Sequence, residues 1–525
     1  MDNNKETGSY YTPHEIINFM IQYLKQNEQN FEKVLEPSAG DGRFLSVLLS
    51  ICKKVKAIEL FEDKVNDIRT MYQSPNLKVQ KDNFLDYAMK SKEKYSLIIG
   101  NPPYINPKIM ETTDISKAKE LCKLENVDTS VMQNMWLAFV VGACRLLDRN
   151  GAIFFVLPME FLQVQYAEKL RKYLEDKFNT IHIISFKSSI FPEIEQDVCL
   201  VYMTNKENKE PHILYQIYEK PSCYEPVFSN VITKNKPLRK WSNAVLSDEN
   251  IKLLREKAQN YNTINNMGIS APGVVTGGNK YFIITEKQVE EYECEELVIP
   301  ILQKSSYISD NTIVINNKLI KMLKEKNKPV FLLNLSNVKS EDIPEKLREY
   351  LEKAGEEKVG GIKLKERFKC ANRKPWYGVP IVKKGEVIFF KRYHLVPRVY
   401  INQSDIHTTD AGYHIRLKPE WDKDSVVFCF YNSLTLAECE FQGRYYGGGV
   451  NELVPSEFKE VHIPYRIINP EDVKKLNRLF YKKTEIDQIV AFVNEKTIAA
   501  DMEKQDVEKI EQIRKLLIQR RCGDK

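Results

Sequence analysis

A strand-like run at residues 33–36, KVLE, leads directly into the glycine-rich turn EPSAGDG of residues 36–42. A helical stretch at residues 43–52 follows the turn. Glycines between a strand and a helix let the backbone approach a ligand closely, and the helix N-terminus favours an anionic group. The turn lacks the GxGxxG spacing and a Walker lysine, so a nucleotide phosphate is not the obvious ligand. An ordinary βα turn is the alternative for this segment taken alone.

Six further apolar runs continue this pattern over the first 205 residues. They lie at residues 55–60, 77–80, 95–100, 152–157, 180–186 and 198–203. Helical stretches separate most of the runs, which predicts a mostly parallel sheet with helices on both faces. The connection between the last two runs is short, so we expect the final strand to be antiparallel. The predicted fold class is α/β, with a Rossmann-like sheet of seven strands.

A change in composition predicts a second domain. Residues 204–211, TNKENKEP, are polar and end in proline, and they begin a linker region that extends to about residue 240. Short β-like runs then mix with aromatic and turn residues, and the pattern becomes helical from Asn469. We therefore predict a first domain at residues 1–240 and a mixed α+β second domain at residues 241–525, with a helical tail from about residue 469.

Composition limits the class of protein. Hydrophobic residues make up 42% and charged residues 29%, close to an average soluble protein. The net charge of +6 excludes a polybasic protein but allows a local basic groove. The 10 cysteines are scattered singly without a CxxC pair, which disfavours a metal site and a disulfide framework. No signal pattern is present and no apolar run approaches the ~20 residues of a membrane helix, so we expect a cytoplasmic protein without a membrane anchor.

Polar residues follow the second and third predicted strands. Glu59 lies roughly 20 residues after the glycine turn, where a carboxylate can accept hydrogen bonds from two ribose hydroxyls. Asp82, Asn83 and Phe84 offer an acceptor for an adenine amino group and a ring to stack on. A solvated carboxylate and a plain turn are the alternatives for these two segments. Together with the glycine turn, they indicate a ligand that contains adenosine.

The motif NPPY, residues 101–104, follows the apolar strand YSLIIG. Its two prolines stiffen the chain and remove backbone donors. The Asn101 amide oxygen and the Pro102 carbonyl can then accept from one exocyclic NH2 group, and Tyr104 offers a ring face to a planar base. Two acceptors on one NH2 group draw its lone pair out of conjugation, which activates the nitrogen for attack. The motif therefore predicts the activation of an aromatic or amide nitrogen.

These segments together resemble the gamma-group amino-DNA methyltransferases of the TaqI and PstI type. The resemblance rests on GSYYTP at residues 8–13, EPSAGDG, Glu59 and NPPY, in that order, and it covers about residues 7–205. Three distal phrases, GVVTGGNKYF, CANRKPWYGVP and RYYGGGVNELVPSEF, resemble the recognition half of such enzymes more loosely. The resemblance implies an S-adenosylmethionine-dependent enzyme that methylates N6 of adenine in double-stranded DNA. It also implies that the chain is the methyltransferase of a restriction-modification system and acts as a monomer. The cognate endonuclease would then be a separate protein.

The resemblance also assigns roles by position. It places Asn101, Pro102 and Tyr104 in the catalytic motif, and Tyr104 and Phe191 against a flipped-out base. It assigns cofactor contacts to Tyr11, Thr12, Pro13, Glu36, Ser38, Gly40 and Glu59. The family usually has Asp directly followed by Phe after the third strand, whereas Asn83 stands here between Asp82 and Phe84. Either Asp82 or Asn83 could therefore meet the cofactor adenine, with Phe84 beside it.

Basic residues interleaved with aromatics are candidates for DNA contact in the second half. These candidates are Lys363, Lys365, Arg367, Lys369, Arg373, Lys374, Trp376, Tyr377, Arg444 and Tyr445. A solvated charged face is the alternative for the lysine run alone.

Three other functions stay open at this stage. NPPY is also compatible with N4-cytosine methylation. Protein-glutamine methyltransferases of the HemK type share NPPY but lack the large distal half. A catalytically inactive DNA-binding module is the alternative from another class, and the intact NPPY, Glu59 and YTP segments disfavour it.

Overall fold

The computed structural model describes residues 11–27, 31–105, 109–187, 198–205, 211–233, 238–308 and 311–522. The chain forms two compact units. The first unit runs to Glu249 and includes Tyr446–Gly448, and the second comprises Asn250–Tyr445 and Gly449–Cys522. In the described parts of the chain, no helix combines the length and apolarity that a membrane crossing needs.

The first unit alternates helices and strands. Its helices are α1 (His14–Asn27), α2 (Leu45–Ile51), α3 (Glu62–Met71), α4 (Phe84–Lys90), α5 (Thr112–Leu124), α6 (Met135–Leu146) and α7 (Glu168–Lys177). Its strands are β1 (Phe31–Glu36), β2 (Cys52–Glu59), β3 (Leu77–Lys81), β4 (Tyr95–Gly100), β5 (Leu147–Pro158), β6 (Thr180–Phe186), β7 (Val198–Thr204), β8 (His212–Tyr218) and β9 (Phe228–Thr233).

All nine strands of the first unit form one sheet, in the order β3-β2-β1-β4-β5-β7-β6-β8-β9. Strands β1 to β5 pair in parallel, whereas β7 pairs antiparallel with both β5 and β6, as the sequence predicts. From β1 the chain moves outward to β2 and β3, and then returns to the other side of β1 as β4. This reversal of direction creates a crevice at the carboxyl ends of β1 and β4, where open α/β sheets bind ligands.

The sheet is larger than the predicted seven strands, because β8 and β9 lie in the region interpreted as a linker. Strand β8 pairs in parallel with β6, and β9 pairs antiparallel with β8. The side chains of β8 are only partly buried in alternation, which is typical of a strand near a sheet edge. Such a strand lacks the continuous apolar run of a fully buried strand, so it is harder to recognise from sequence. The polar residues 204–211 therefore separate two strands rather than two domains.

The first unit also extends beyond the predicted boundary at residue 240. Trp241 is fully buried, and its ring lies edge-on to Phe161 at 5.3 Å. The Asn230 side chain in β9 donates hydrogen bonds to the carbonyls of Ala244 and Leu246 at 2.8 and 2.9 Å. Residues 241–246 thus complete the core of the first unit.

The second unit contains shorter elements. Its helices are α8 (Asp248–Ala258, which begins in the first unit), α9 (Ile264–Met267), α10 (Asn279–Phe282), α11 (Glu286–Glu291), α12 (Asn317–Glu325), α13 (Glu345–Glu356), α14 (Phe368–Ala371), α15 (Lys423–Phe430), α16 (Ser433–Gln442), α17 (Pro455–Phe458), α18 (Pro470–Tyr481), α19 (Ile486–Lys496) and α20 (Lys504–Cys522). Its strands are β10 (Asn262–Thr263), β11 (Gly268–Pro272), β12 (Ile283–Ile284), β13 (Val298–Leu302), β14 (Val314–Ile315), β15 (Phe331–Leu333), β16 (Lys358–Val359), β17 (Ile362–Lys363), β18 (Val387–Phe390), β19 (Arg392–Tyr393), β20 (Val399–Asn402), β21 (His407–Thr408), β22 (Gly412–Leu417), β23 (Arg444–Tyr446), β24 (Val450–Glu452) and β25 (His462–Ile463).

Two sheets organise the second unit. One has five strands in the order β11-β22-β18-β20-β14, and the other has four in the order β12-β15-β13-β21. The main core of this unit lies between the five-stranded sheet and helices α15, α16, α18 and α19. Within it, the rings of Phe389 and Phe458 stack at 4.1 Å. Helices α18 to α20 follow Asn469, whose side chain accepts a hydrogen bond from the Glu471 N–H and so caps α18.

Two buried histidines should make the second unit sensitive to acid. Burial, and then Lys384, lower the pKa of His407 to about 4. Burial, and then His407, lower the pKa of His414 to about 4. Both rings are neutral in the folded chain, whereas the unfolded chain binds protons below about pH 6.5. We expect stability to fall as the pH drops from about 6.5 toward 4, by up to about 2.7 kcal/mol per pH unit.

Urea unfolding of the full chain between pH 7 and pH 4.5 checks this expectation. A His407→Gln/His414→Gln variant should lose the pH dependence in this range, even if its stability at pH 7 is lower. His14 is an exposed histidine, and His14→Gln is the matched control that should keep the wild-type slope. An unchanged slope in the double variant would show that other groups cause the acid sensitivity.

Candidate active site

A pocket lies at the carboxyl ends of β1, β2 and β4, in the crevice of the first unit. It brings together seven of the predicted site residues from four separate segments. The residues that line it are Tyr11, Thr12, Glu36, Ser38, Ala39, Gly40, Asp41, Arg43, Phe44, Glu59, Asn101 and Pro103. The fold therefore assembles the YTP segment, the glycine turn, the acid at the end of β2 and the NPPY motif around one cavity.

The glycine turn requires glycine at residue 40. Gly40 has a φ of +57°, a conformation that favours glycine, and a Cβ there would approach the Tyr11 ring to 3.3 Å. The Gly40 N–H donates to the Glu59 carboxylate at 2.8 Å, which ties the turn to the end of β2. Ser38 donates from its hydroxyl to the Asn101 carbonyl at 3.1 Å, which ties the same turn to NPPY.

Arg43 holds the YTP segment against the glycine turn, a role that the sequence analysis missed. Its guanidinium binds the Asp41 carboxylate at 2.6 Å and donates to the Thr12 carbonyl at 2.7 Å. It also lies over the Tyr11 ring, 4.9 Å from the centroid. Arg43 directly follows EPSAGDG, but its residue type does not show that it binds a backbone carbonyl 31 residues away. Arg43 is thus a positioning residue for the N-terminal wall of the pocket.

Three carboxylates, Glu36, Asp41 and Glu59, line the pocket together with the Arg43 guanidinium. Glu36 is 1% exposed, and Asp41 and Glu59 lie near it. Burial, and then the charges of Asp41 and Glu59, raise the pKa of Glu36 well above its ordinary value. A cation that enters the pocket would reverse this effect, because it would favour the ionised form of Glu36.

Glu59 is held tightly by backbone donors. Its Oε1 accepts from the N–H groups of Leu60 and Phe61 at 2.8 and 3.0 Å, and its Oε2 accepts from Gly40. A carboxylate has about four acceptor positions, so three such bonds leave about one for a ligand hydroxyl. The predicted bonding of two ribose hydroxyls to Glu59 therefore exceeds the free capacity of this side chain.

The segment after β3 separates the roles of Asp82 and Asn83. The Asn83 side chain caps α4, since its Oδ1 accepts from the Leu85 N–H at 2.9 Å. Its Nδ2 donates to Asp114 Oδ1 at 3.0 Å. Asp82 is bonded through Oδ2 to Gln80 Nε2 at 2.9 Å. Both the oxygen and the nitrogen of the Asn83 side-chain amide are therefore hydrogen-bonded within the protein, whereas the Asp82 carboxylate can accept further hydrogen bonds.

The ring of Phe84 packs in the interior rather than along the pocket. Phe84 is 3% exposed, and its ring stacks on Phe139 of α6 at 4.6 Å. It does not belong to the set of residues that line the pocket. The structure therefore gives no open face of Phe84 for stacking, which differs from the sequence expectation.

The NPPY motif leaves β4 beside the pocket. Asn101 and Pro103 line the pocket, and Pro102 is buried. Tyr104 is partly buried, and its hydroxyl donates to the Val156 carbonyl of β5 at 3.1 Å. Burial raises the pKa of Tyr104, so the hydroxyl stays protonated and keeps this donor role. The bond fixes the orientation of the Tyr104 ring beside the motif.

Pro13 is not among the residues that line the pocket, and neither are Asp82 and Asn83. The Pro13 carbonyl accepts from the N–H groups of Ile16 and Ile17 at 3.0 and 3.2 Å, so Pro13 begins α1. Phe191 lies outside the described residues. The described residues contain no group of three or more His, Cys, Asp or Glu side chains placed to hold a metal ion.

Four of the basic residues predicted to contact DNA form ion pairs or hydrogen bonds inside the second unit. Lys363 and Lys365 both pair with Glu356. Arg367 donates to the Gly277 carbonyl at 2.5 Å, and Arg373 donates to the carbonyls of Thr276 and Val275 at 2.7 Å. These bonds hold the loop that contains the glycine pair at residues 277–278.

Among the other candidates for DNA contact, Lys369 and Lys374 are exposed, and Trp376 and Tyr377 are partly buried, edge-on to each other at 5.6 Å. Arg444 binds Glu457 at 3.0 Å, and Tyr445 is 5% exposed. These last two side chains lack the open surface that the prediction required, because they pack into the second unit.

Comparison with known proteins assigns the chain to a class. Residues 24–191 match the family model described as the Eco57I restriction-modification methylase. Residues 238–498 match the model described as the C-terminal domain of the Type II methyltransferase M.Eco57I. The chain belongs to the gamma class of restriction-modification methylases. S-adenosyl-L-methionine is its cofactor, and DNA methylation within a restriction-modification system is its activity.

Individual relatives support this assignment along most of the chain. The Type II methyltransferase M.AccI of Acinetobacter calcoaceticus is 24% identical over 493 residues, which cover 88% of this chain and 86% of M.AccI. M.BsuBI of Bacillus subtilis is 26% identical over 212 residues, covering 36% of this chain and 41% of M.BsuBI. The Type IIL restriction-modification enzyme MmeI, solved in complex with DNA, has a similar fold with a TM-score of 0.65 and 12% identity. That comparison covers 99% of this chain and 80% of MmeI.

The pocket suits S-adenosyl-L-methionine, which carries an ammonium group, a sulfonium and an adenosine. Thr12 Oγ1 and Glu36 Oε2 are buried and have no hydrogen-bond partner among the described residues. Buried polar atoms of this kind are costly unless a ligand or water satisfies them. Their position in a pocket with three carboxylates fits a cationic, hydrogen-bonding ligand.

Proposed function

We propose that the chain methylates the N6 amino group of adenine in double-stranded DNA. The observation that carries the proposal is the position of NPPY, which leaves β4 at the same pocket as Glu36, Gly40 and Glu59. An amino group presented to Asn101 would therefore lie beside the cofactor pocket. S-adenosyl-L-methionine supplies a methyl group on an electron-poor sulfur when it is bound.

In this proposal, residues of the first unit bind both the methionine part and the adenosine part of the cofactor. Glu36 accepts from the methionine ammonium, and Thr12, Ser38 and the Gly40 turn complete that end of the pocket. Glu59 accepts one ribose hydroxyl with its remaining acceptor position. Tyr11, supported by Arg43, covers the N-terminal wall, and Pro13 sets the start of α1 behind it.

We assign the cofactor adenine to Asp82 rather than Asn83. The Asn83 amide is already bonded to Leu85 and Asp114, whereas Asp82 keeps a free acceptor position. Breaking the cap of α4 would cost about 0.5–2 kcal/mol, which disfavours a switch of Asn83 to the ligand. Phe84 supports this segment from the core.

Asn101 and Pro102 activate the target nitrogen. The Asn101 side-chain oxygen and the Pro102 carbonyl each accept one N–H of the amino group, which localises the nitrogen lone pair for attack on the methyl group. Transfer of the methyl group would break its bond to sulfur and leave a neutral thioether. The methylated nitrogen would then carry an extra proton, which the same two acceptors hold until it passes to water. Alignment and preorganised acceptors supply the rate enhancement, because this displacement needs no metal and no covalent nucleophile.

Tyr104 stacks on the extruded adenine. Its hydroxyl is bonded to Val156, so the ring is oriented before the base arrives and little rotamer entropy is lost. Stacking on an aromatic ring contributes about 1–3 kcal/mol per base in other nucleic-acid sites. We propose Phe191 as the second stacking residue.

The second unit, within the predicted domain at residues 241–525, recognises the DNA sequence in this proposal. Its match to the C-terminal domain of M.Eco57I supports this division of labour. We further propose that the enzyme acts as a monomer in the cytoplasm and protects DNA from a separate endonuclease. Sizing of the enzyme with its DNA tests the monomeric state, and sequencing of the genes beside its own tests for the endonuclease.

Replacement of Glu36 by glutamine should weaken the binding of S-adenosyl-L-methionine by roughly 10- to 100-fold, the range for one charge-assisted hydrogen bond. Wild-type affinity should rise with pH, since Glu36 must lose its proton to pair with the ammonium and its pKa is raised. Glu36→Gln should remove this pH dependence. Calorimetry at pH 6, 7 and 8, in two buffers of different ionisation enthalpy, measures both the affinity and the released protons.

Glu32→Gln is the matched control for this experiment. Glu32 lies on the same strand, β1, but is 75% exposed and pairs with Lys53 at the surface. Its replacement should leave both affinity and pH dependence unchanged. If Glu36→Gln binds the cofactor as the wild type does, the ammonium is held elsewhere.

Single-molecule sequencing of DNA from an expressing host tests the proposed function. N6-methyladenine in one sequence context is the expected result. N4-methylcytosine would overturn the proposed target base while leaving the activity of the class intact. A host strain that expresses Asn101→Ala provides the unmodified reference.

A further inference from the structure

Glu160 is a partly buried carboxylate beside the end of β5, and the proposed function does not use it. It lies in the short helical turn Met159–Leu162, which directly follows the strand. Gly100, the last residue of β4, pairs with Phe155 of β5, so NPPY leaves the sheet beside the end of that strand. Glu160 therefore stands at the same edge of the sheet as NPPY, where open α/β sheets bind their ligands.

Three aromatic side chains surround the Glu160 carboxylate. The Tyr166 hydroxyl donates to its Oε1 at 3.0 Å. The indole of Trp136, at the start of α6, lies beside it, and the Trp136 Nε1 has no hydrogen-bond partner among the described residues. Burial raises the pKa of Tyr104 most, and the charge of Glu160 adds to this effect, so the carboxylate lies near the Tyr104 hydroxyl.

The surroundings of Glu160 favour the binding of a proton. Burial raises the pKa of Glu160, and the Tyr166 hydroxyl and the Trp136 indole lower it by less. Across the described ranges no lysine, arginine or histidine pairs with this carboxylate, and Tyr166 is the one hydrogen-bond donor to it. Because a carboxylate has about four acceptor positions, Glu160 can accept further hydrogen bonds from a ligand or a water.

The carboxylates that follow β1, β2 and β3 already have partners or roles. Glu59 accepts three backbone hydrogen bonds, and Asp41 is paired with a guanidinium. The proposed function assigns Glu36 to the methionine ammonium and Asp82 to the cofactor adenine. Glu160 therefore remains for the target base.

We propose that Glu160 accepts the proton that the target amino group loses during methyl transfer, directly or through one water. The inference rests on the proposed function, in which a base stacks on Tyr104 with its amino group at Asn101. The nitrogen forms a bond to the methyl group as the bond from that group to sulfur breaks. One N–H bond then breaks, its electron pair stays on the nitrogen, and the proton forms an O–H bond on Glu160. Water takes this proton when the product leaves.

A carboxylate suits this step better than the two acceptors of NPPY. The Asn101 amide oxygen and the Pro102 carbonyl accept hydrogen bonds, but neither is basic enough to take a proton near pH 7. Aspartate and glutamate are among the side chains that act as general bases. The charge of Glu160 also stabilises the cation that develops on the nitrogen, because the described residues place no opposing cation beside this carboxylate.

The pH dependence of single-turnover methylation by the full chain tests the proposal. Host DNA and saturating S-adenosyl-L-methionine are used between pH 5.5 and 8.5, so that the ionisation of Glu36 does not limit cofactor binding. The wild-type rate should rise with pH as Glu160 loses its proton, and this rise should lie above pH 4.5 because burial raises the pKa of Glu160 from that value. Glu160→Gln should slow the reaction by about 100-fold or more at pH 7, the usual contribution of a general base, and should lose the rise.

Two further variants separate proton transfer from a structural role. Glu160→Asp keeps a carboxylate, so it should keep the rise at a rate between those of the wild type and Glu160→Gln. Tyr166→Phe removes a donor that stabilises the ionised carboxylate, which raises the pKa of Glu160 and should move the rise to higher pH.

Glu168→Gln is the matched control. Glu168 lies in the first turn of α7, where its side chain is 42% exposed and pairs with Arg239 at 3.2 Å. Its replacement should change neither the rate nor its pH dependence. Urea unfolding verifies that each variant is folded, and cofactor affinity should stay at the wild-type value because Glu160 does not line the cofactor pocket.

Several outcomes would overturn the role of Glu160. These are a wild-type rate that does not rise with pH, a folded Glu160→Gln variant close to the wild-type rate, and a slow Glu160→Gln variant that keeps the rise. If Glu160→Gln does not fold, an unshifted rise in Tyr166→Phe would overturn the role instead. N4-methylcytosine as the product would overturn the proposed target base but not this inference, since that amino group loses the same proton.

Discussion

Replacement of Asn101 by alanine is expected to slow methyl transfer by about 100-fold or more, the cost of losing one preorganised hydrogen-bonding group in other enzymes. The variant loses one of two acceptors for the target amino group, so the nitrogen lone pair stays in conjugation with the ring. Binding of S-adenosyl-L-methionine should change little, because the carboxylates Glu36 and Glu59 remain in place. Single-turnover methylation of host DNA with labelled cofactor measures the rate, and calorimetry measures cofactor affinity.

Two further variants sharpen this experiment. Asn101→Asp keeps an acceptor oxygen at the same place, so it should retain more activity than Asn101→Ala. Asn66→Ala removes an amide from the exposed face of α3 in the same unit and should have no effect on the rate. Near wild-type methylation by Asn101→Ala would show that another group activates the nitrogen.

The parts of the site that the sequence predicted well follow a single topological rule. Glu59 is the last residue of a strand, and the glycine turn and Asn101 directly follow one. Adjacent parallel strands place their carboxyl ends at one edge of a sheet. Alternation of strands and helices was therefore enough to predict that these residues converge. The same rule does not predict how many hydrogen bonds a side chain already accepts from the protein, so the three backbone bonds to Glu59 could not be predicted from it.

Arg43 and Asn83 show where local sequence was insufficient. Arg43 acts on the Thr12 carbonyl, and a bond to a backbone atom of a distant segment leaves no signal in residue types. Asn83 has a chemistry that suits either a ligand or a helix cap, and only the start of α4 at Phe84 decides between them. Both cases depend on the geometry of one or two residues rather than on a pattern.

The second unit was harder to predict because its surfaces are assembled from distant segments. The run of cations at residues 363–374 stands out in the sequence, yet its partners Glu356 and the carbonyls of residues 275–277 become visible only in the folded chain.

Replacement of Arg521 by methionine is expected to destabilise the second unit by about 3–5 kcal/mol, the typical cost of removing one partner of a buried ion pair. The Arg521 guanidinium binds the Glu440 carboxylate at 2.7 Å, and the two side chains are 0% and 1% exposed. Arg521 belongs to the last turn of α20, and Glu440 lies in α16, so the pair fastens the last helix to the core of the unit. Its loss leaves the Glu440 charge buried and unpaired. Urea unfolding of the full chain at pH 7, followed by circular dichroism, measures the change in the free energy of unfolding.

Two comparisons separate the buried charge from the loss of side-chain volume. The double variant Arg521→Met/Glu440→Gln removes both charges, so it should be more stable than Arg521→Met alone even though it carries one more substitution. Lys504→Met removes a cation from the first turn of the same helix, where the Lys504 side chain is 90% exposed beside Glu508, and should change stability by no more than about 1 kcal/mol. A destabilisation by Arg521→Met as small as that of Lys504→Met would mean that α20 is held by its apolar contacts, among them buried Ile510, Ile513 and Leu517, rather than by the ion pair.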